Sequence, residues 1–298
     1  VLAYHHVGRP GVTAPWITVT PEHFAEQMAY LADNRLAISV DELAAEFRSG
    51  RPGRGGRVLV TLDDAAEDTA TTAVPILRRC GIPATVFVAT DLLGVCRPFW
   101  WNRLHRLTCV AREQHRDLDA FFASGGISAV ERGRIDGPWR TLRFLQPQHR
   151  DDVLAAAAEW LGDDGGDAGP GAMTHEQLAS LDGDGITFGA HTVTHPPLVG
   201  LSEEQLAAEL TGGRAVLTQL RSSRSLFAYP YGDEAAIDAE AARAVHDAGF
   251  ELAFTTAEGT VGRGDNPLTL RRVCIDDMPL ADVSWLIDHF LGWRGKRP

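Results

Sequence analysis

The chain has 298 residues, a formal charge of −12 and 44% hydrophobic residues. That apolar content supports a folded core and argues against intrinsic disorder, while the negative charge argues against nucleic acid and anionic membranes as partners. No apolar run reaches the roughly 18 residues of a membrane-crossing helix. No secretory leader is visible in a chain that opens at Val1, so the compartment stays open, with a lean to the cytoplasm.

In chain order, Val1–Tyr4 reads as a strand running into His5-His6. Thr20 and Pro21 are a cap and first residue for a helix to Asn34, and Ser39 caps a second from Val40 to Ser49. Arg51–Gly56 is a basic linker without the ending of a phosphate loop. Val58–Leu62 is an apolar strand that delivers Asp63-Asp64. A helix over Thr69–Arg79, a stop at Gly81 and a strand over Ala84–Ala89 complete a βαβ unit.

Residues at about 97–170 break this rhythm. They carry Phe99-Trp100-Trp101, several helical patterns and a Gly/Asp-rich exit, and read as a mostly helical insertion within a single domain spanning 1–298. Ile186–Ala190 then ends at His191, and Leu226–Ala228 ends before Tyr229-Pro230-Tyr231-Gly232. A helix over Glu234–Ala248 and strands over Glu251–Thr256 and Leu268–Ile275 follow. Strands alternating with amphipathic helices predict an α/β fold with a largely parallel sheet, whose chemistry sits at the carboxyl ends of the strands. Of the cysteines, Cys80 and Cys274 read as buried structural thiols, and nothing in the spacing supports a Cys96–Cys109 bridge.

Two strand ends carry the candidate chemistry. Adjacent aspartates on a strand point to opposite faces, so Asp63 and Asp64 cannot be the facing carboxyls of a glycosidase, which need about 5 Å or more between them. Where the chain turns at a strand end, both can reach one site, one as a metal ligand and the other holding a proton. His191 and His195, four apart in His-Thr-Val-Thr-His, can share one side of a turn. One carboxylate, two imidazoles and a spare carboxylate are the minimum set for hydrolysis by metal-bound water. The turn at Phe227–Gly232 can supply a backbone donor to an oxyanion, and either His5 or His6 can serve as general acid. Trp100 and Trp101 are candidates to stack on a sugar ring, with core packing as the other reading.

Jointly, Thr61-Leu62-Asp63-Asp64 with Asp68, the Val74-Pro-Ile-Leu and Gly81-Ile-Pro-Ala-Thr-Val-Phe-Val segments, His191–His195 and Phe227–Gly232 resemble the metal-dependent polysaccharide deacetylases, carbohydrate esterases of the chitooligosaccharide-deacetylase type. The resemblance covers most of the chain outside the insertion. It implies a distorted (β/α) barrel and one divalent metal, zinc ahead of cobalt, nickel or manganese. Asp64, His191 and His195 would be its ligands, Asp63 the base and Tyr231 a donor of its N–H. The opening Tyr4-His5 is similar to a circularly permuted branch, which makes His5 the acid. Three positions depart from the pattern: Leu62 precedes the aspartates, Ala65-Ala66 follow them, and Ala228 stands where many members carry an arginine that pairs with the base. Arg271 or Arg272 is expected to replace it. Arg272, Tyr231, Pro230 and Trp100 complete the set expected around the substrate. The implied reaction is removal of an N-acetyl group from an amino sugar or small glycoside. The alternatives are an amidase or deformylase acting on a non-sugar metabolite, and an inactive sugar-binding homologue.

Overall fold

The computed structural model describes residues 1–50, 56–95, 97–125, 137–166, 168–262 and 264–291. The chain divides into two compact units: Val1–Pro10 with Pro15–Val95 and Ala172–Pro298, and Gly11–Ala14 with Cys96–Gly171. Most of the predicted basic linker and the predicted position of Cys96 lie outside the described residues.

The first unit opens with β1 (Leu2–Tyr4), β2 (His6–Val7) and β3 (Thr18–Val19), then α1 (Pro21–Asp33) and α2 (Val40–Ser49). Thr20 accepts the His23 N–H as the cap of α1. Ser39 and Glu42 form a reciprocal capping box on α2, which satisfies two N–H groups otherwise left open at a helix start. β4 (Val60–Leu62) leads to α3 (Val74–Cys80) and β5 (Ala84–Val88). The predicted helix over Thr69–Arg79 is present, but its first part, Thr69–Ala73, is a π turn in which the Val74 N–H reaches the Thr69 carbonyl. Pro75 has no N–H to give to Thr71, so the regular α-helical ladder is interrupted here and the wider π turn takes its place.

The second unit is helical: α4 (Trp100–Glu113), α5 (Leu118–Ser124), α6 (Gly137–Leu142) and α7 (Pro147–Leu161). Arg103 reaches Asp151 at 2.7 Å and Arg106 grips Asp163 across α4 and the end of α7. Ala14 joins this unit by donating its N–H to Asn102 Oδ1 at 3.1 Å, a membership the sequence pattern does not reveal.

The first unit resumes with α8 (His175–Ser180), β6 (Ile186–Ala190), α9 (Glu203–Leu217), β7 (Ser223–Ala228), α10 (Ala239–Asp247), β8 (Leu252–Phe254), β9 (Val273–Cys274) and α11 (Leu280–Leu291). α10 starts later than predicted because the Asp238 side chain caps the Ala241 N–H. Seven strands form one parallel sheet in the order β8-β7-β6-β5-β4-β1-β9. Leu270 bridges Phe254 of β8, while β9 just beyond it pairs with β1, so the sheet curls into a distorted (β/α) barrel as expected. Leu59, Phe87, Leu226, Leu252, Phe254 and Leu270 fill the interior with Leu43 and Ala44 of α2. The opposite faces of the strands pack against α1, α3, α9 and α10 in a larger core. Among the described residues no helix is long and apolar enough to cross a membrane. Cys80, Cys109 and Cys274 are free thiols, and Cys274 is exposed rather than buried as expected.

Interior packing leaves no room at β6. A Cβ on Gly189 would lie 2.5 Å from the Phe87 ring and 3.0 Å from Leu226 Cβ. Gly189→Ala is therefore expected to cost about 1–3 kcal/mol by overpacking, read as a lowered urea midpoint with unchanged slope. An unmoved midpoint would mean the barrel interior yields more freely than this packing allows.

Candidate active site

The register of the sheet aligns Tyr4 with Leu62, Leu62 with Val86, and Val88 with Ala190. The residues that follow these strand ends therefore emerge side by side at the carboxyl edge of the barrel. His5 follows β1, Asp63 and Asp64 follow β4, His191 follows β6 and Tyr229 follows β7.

Asp64, His191 and His195 converge there with 4%, 2% and 6% of their surfaces exposed. Asp64 Oδ1 lies 3.4 Å from His191 Nε2 and 3.2 Å from His195 Nε2, and the two nitrogens are 3.2 Å apart. Three donors at zinc-ligand distances from one tetrahedral ion are separated by about 3.3 Å, so this triangle has the dimensions of one face of such a site. The His191 Nδ1–H donates to the Ala228 carbonyl at 2.7 Å. A carbonyl only accepts, so Nε2 keeps its lone pair for the triangle. Asp64 Oδ1 has no well-formed hydrogen bond to either nitrogen. A carboxylate oxygen and two imidazole nitrogens converging in a buried position are what a divalent cation stabilises. Burial pushes the Asp64 carboxyl up, but the two facing imidazoles outweigh it and hold the group well below the usual range. For His191 burial acts downward, yet Asp64 and Asp63 raise it on balance.

Asp63 is held by Arg272 through two parallel bonds, Nη1 to Oδ1 at 2.8 Å and Nη2 to Oδ2 at 2.7 Å. Arg272 has no exposed surface and also donates to the Thr255 carbonyl at 2.8 Å and Thr61 Oγ1 at 3.2 Å. Burial alone would raise the Asp63 carboxyl, but the guanidinium charge and hydrogen bonds reverse this and keep it ionised. Of Arg271 and Arg272, it is Arg272 that pairs with Asp63. Its expected place beside substrate is corrected, because a fully buried side chain engaged this way has no surface to offer.

The two N-terminal histidines part company. His5 Nε2 lies 3.9 Å from Asp63 Oδ2 with 16% of the side chain exposed. Burial lowers its pKa, and the opposing pull of Asp63 and Asp64 does not restore it. His6 is buried and points elsewhere, with Nδ1 2.9 Å from Asp68 Oδ2. That bond fastens β2 to the loop behind Asp64, which accounts for Asp68 in the motif.

At the third segment, the Gly232 N–H closes a tight turn on the Pro230 carbonyl at 2.7 Å, with Tyr231 at φ 63° between them. The Tyr231 ring packs edge-on to His195 at 4.9 Å. A Cβ on Gly232 would sit 2.6 Å from the Thr256 nitrogen, so only glycine fits. Pro230 is buried and shapes the turn. Among the described residues eight non-glycines have positive φ, and Asp64, Ala65, Thr192, His195 and Tyr231 are five of them. Such strain gathers where function needs a fixed geometry. The left-handed turn at Asp64 brings both aspartates to one site despite strand alternation.

Trp100 is one of the residues expected beside the substrate. It belongs to the second unit, is 6% exposed, and packs against Trp139 and beneath the Arg150 guanidinium at 4.8 Å. Trp101 is buried as well, so core packing replaces the expected sugar stacking for both. Sequence reasoning also passed over Glu209 of α9, which touches the segment between the two ligating-type histidines. The available signal was Gly212-Gly213 inside a helix, an arrangement that weakens a helix unless something packs there.

The barrel thus carries at its carboxyl edge a buried Asp-His-His triangle that could hold a metal ion. Residues 139–253 match the family model "Polysaccharide deacetylase". That stretch includes the histidines and the Phe227–Gly232 segment but not Asp63-Asp64. YxkH of Bacillus subtilis (strain 168), named as a candidate polysaccharide deacetylase, is 26% identical over 102 residues, which is 34% of this chain and 36% of YxkH. In fold, the chain resembles the Streptococcus pyogenes deacetylase PplD, solved in complex with acetate, with TM-score 0.63 and 18% identity over 96% of both chains. It also resembles IcaB of Ammonifex degensii, with TM-score 0.62 and 20% identity over 96% of this chain and 95% of that one. These findings agree with the resemblance read from the motifs: the stretch 139–253 is similar to polysaccharide deacetylases, the chain matches about a third of the length of the curated relative, and the solved structures share its fold.

Two outcomes follow from the geometry. Arg272→Met leaves Asp63 buried and unpaired and should cost about 3–5 kcal/mol in urea unfolding, whereas the double variant Asp63→Leu/Arg272→Met should regain most of that loss. If the double variant is no more stable than the single one, the pair is not what Arg272 contributes. His195→Ala should sharply lower the divalent-metal content measured on the purified protein, and unchanged stoichiometry would remove it from the ligand set.

Proposed function

We propose that this protein is a metal-dependent hydrolase that removes an N-acetyl group from an amino sugar, either a small glycoside or a sugar within a longer chain. The observation that carries the reading is the buried Asp64–His191–His195 triangle beside an ionised, arginine-locked Asp63. Zinc fits the mixed nitrogen and oxygen donors best, ahead of cobalt, nickel or manganese. When bound there, the metal supplies Lewis acidity toward the amide carbonyl and its water.

The remaining work falls to the chain. Asp63 has one lone-pair direction per oxygen beyond those taken by Arg272, and one of these accepts the proton of the attacking water. The Arg272 fork holds that carboxylate in a single orientation, which removes the reorientation a free aspartate would need. His5 delivers a proton from its imidazole to the departing nitrogen. Its ring faces Asp63 across 3.9 Å at the same edge of the barrel, which is the placement that delivery needs. The Tyr231 backbone, fixed against His195, is the candidate amide donor to the oxyanion. The acetate carried by the PplD structure supports acetyl as the group removed. The pairing of Arg272 with Asp63 supports an active enzyme over an inactive homologue.

The test is acid release from N-acetylglucosamine glycosides, small and polymeric, by zinc-loaded protein. Acetate is expected. Formate release, or no acid with any divalent metal, would end this reading. Asp63→Asn should keep its metal while turnover falls about 10²–10⁴-fold. His5→Ala should lose far more activity than His6→Ala at equal stability, and the reverse order would move the acid role away from His5.

A further inference from the structure

The segment between the two histidines of the triangle is gripped by a side chain that takes no part in the chemistry. Glu209 of α9 turns both carboxylate oxygens toward it. Oε2 accepts the Val193 N–H at 2.8 Å and the Thr194 N–H at 2.9 Å, and Oε1 accepts the Thr194 hydroxyl at 2.6 Å. From the other side, Thr90 and Asp91 donate their N–H groups to the carbonyls of Thr192 at 3.3 Å and Val193 at 3.0 Å.

The helix has to come close for Glu209 to reach. A Cβ on Gly213 would lie 2.8 Å from the Thr192 carbonyl oxygen, and one on Gly212 would lie 2.8 Å from Val193 Cγ2. Two glycines inside α9 weaken it in isolation, and this contact is what they allow. The segment needs such support. Thr192 and His195 have φ of 68° and 61°, and left-handed backbone at a β-branched residue persists only where its surroundings over-determine it. The His195 N–H donates to Thr192 Oγ1 at 3.0 Å, so the conformation of His195 depends on that of Thr192. Successive backbone N–H groups favour an anion, and a carboxylate binds them more strongly than a neutral acceptor would.

We propose that Glu209 is a positioning residue for the metal centre: it holds residues 193–194 so that His191 and His195 keep the spacing one cation requires. The inference rests on reading Asp64, His191 and His195 as ligands. It separates Glu209 from a simple tie between a helix and a loop, because a tie would stabilise the fold without changing how the folded protein binds metal.

The experiment adds Zn²⁺ alone to metal-stripped protein in competition with a chromophoric chelator, and measures urea unfolding of the stripped protein in parallel. Glu209→Ala should weaken Zn²⁺ binding about 10–100-fold, the range seen when support behind a metal ligand is removed. Glu209→Gln keeps one acceptor oxygen and should fall between that variant and wild type. If Glu209→Ala does not fold, Glu209→Gln and Thr194→Val carry the comparison, the latter losing only the hydroxyl bond to Oε1. Folded variants that bind Zn²⁺ as tightly as wild type, even with a lowered urea midpoint, overturn the assignment to Glu209. A wild-type protein that takes up no Zn²⁺ overturns the ligand reading itself, a result readily told apart from the first.

Discussion

The bond between Arg272 and Asp63 does two jobs in the first unit. Arg272 lies on the segment that closes the barrel, between Leu270, which bridges β8, and Val273, which pairs with β1. Its side chain crosses the interior to the end of β4 and meets Asp63 with two hydrogen bonds. Desolvating two ions costs several kcal/mol each. Here the further bonds to Thr61 and Thr255 offset part of that cost and leave little freedom in the guanidinium. The carboxylate that results is held ionised and fixed in direction, as the proposed role of base requires. Across the site, the Ala228 carbonyl accepts from His191 Nδ1 at 2.7 Å, which sets the tautomer of that ring.

The same edge of the barrel shows how one chemical group acquires different tasks from its surroundings. Asp64 faces two imidazole nitrogens, Asp63 a guanidinium, Asp68 a buried histidine and Glu209 a pair of backbone amides. Only the first two stand among the groups that can act on a substrate. The other two brace the loops that carry them, Asp68 behind Asp64 and Glu209 behind the histidines. Bracing is needed because the backbone at this edge is strained. Left-handed residues cluster at Asp64, Ala65, Thr192, His195 and Tyr231, and each stays there only because its neighbours leave it no alternative.

Local patterns made much of the fold legible. Thr20, Ser39 and Gly81 announce helix ends because caps satisfy backbone groups within a few residues of themselves. Apolar runs ending in polar residues located the strand ends that carry Asp63, His191 and Tyr229. Errors arose where the deciding contact was not local. The helix expected from Thr69 opens with a π turn ahead of Pro75, and Cys274 in a strand-like run turned out exposed. Trp100 and Trp101 advertise a sugar platform by residue type, but their rings are spent on packing in the second unit.

By itself, the sequence determined the donor types, their order and the parallel architecture, since side-chain chemistry and hydrophobic period are properties of short segments. Tertiary structure decided which of Arg271 and Arg272 meets Asp63, which of His5 and His6 faces it, and what holds the histidine loop. Those choices depend on strand register and on close approach between α9 and residues 192–194. Neighbouring residues on a strand differ by which face they occupy, and only the paired sheet assigns the faces.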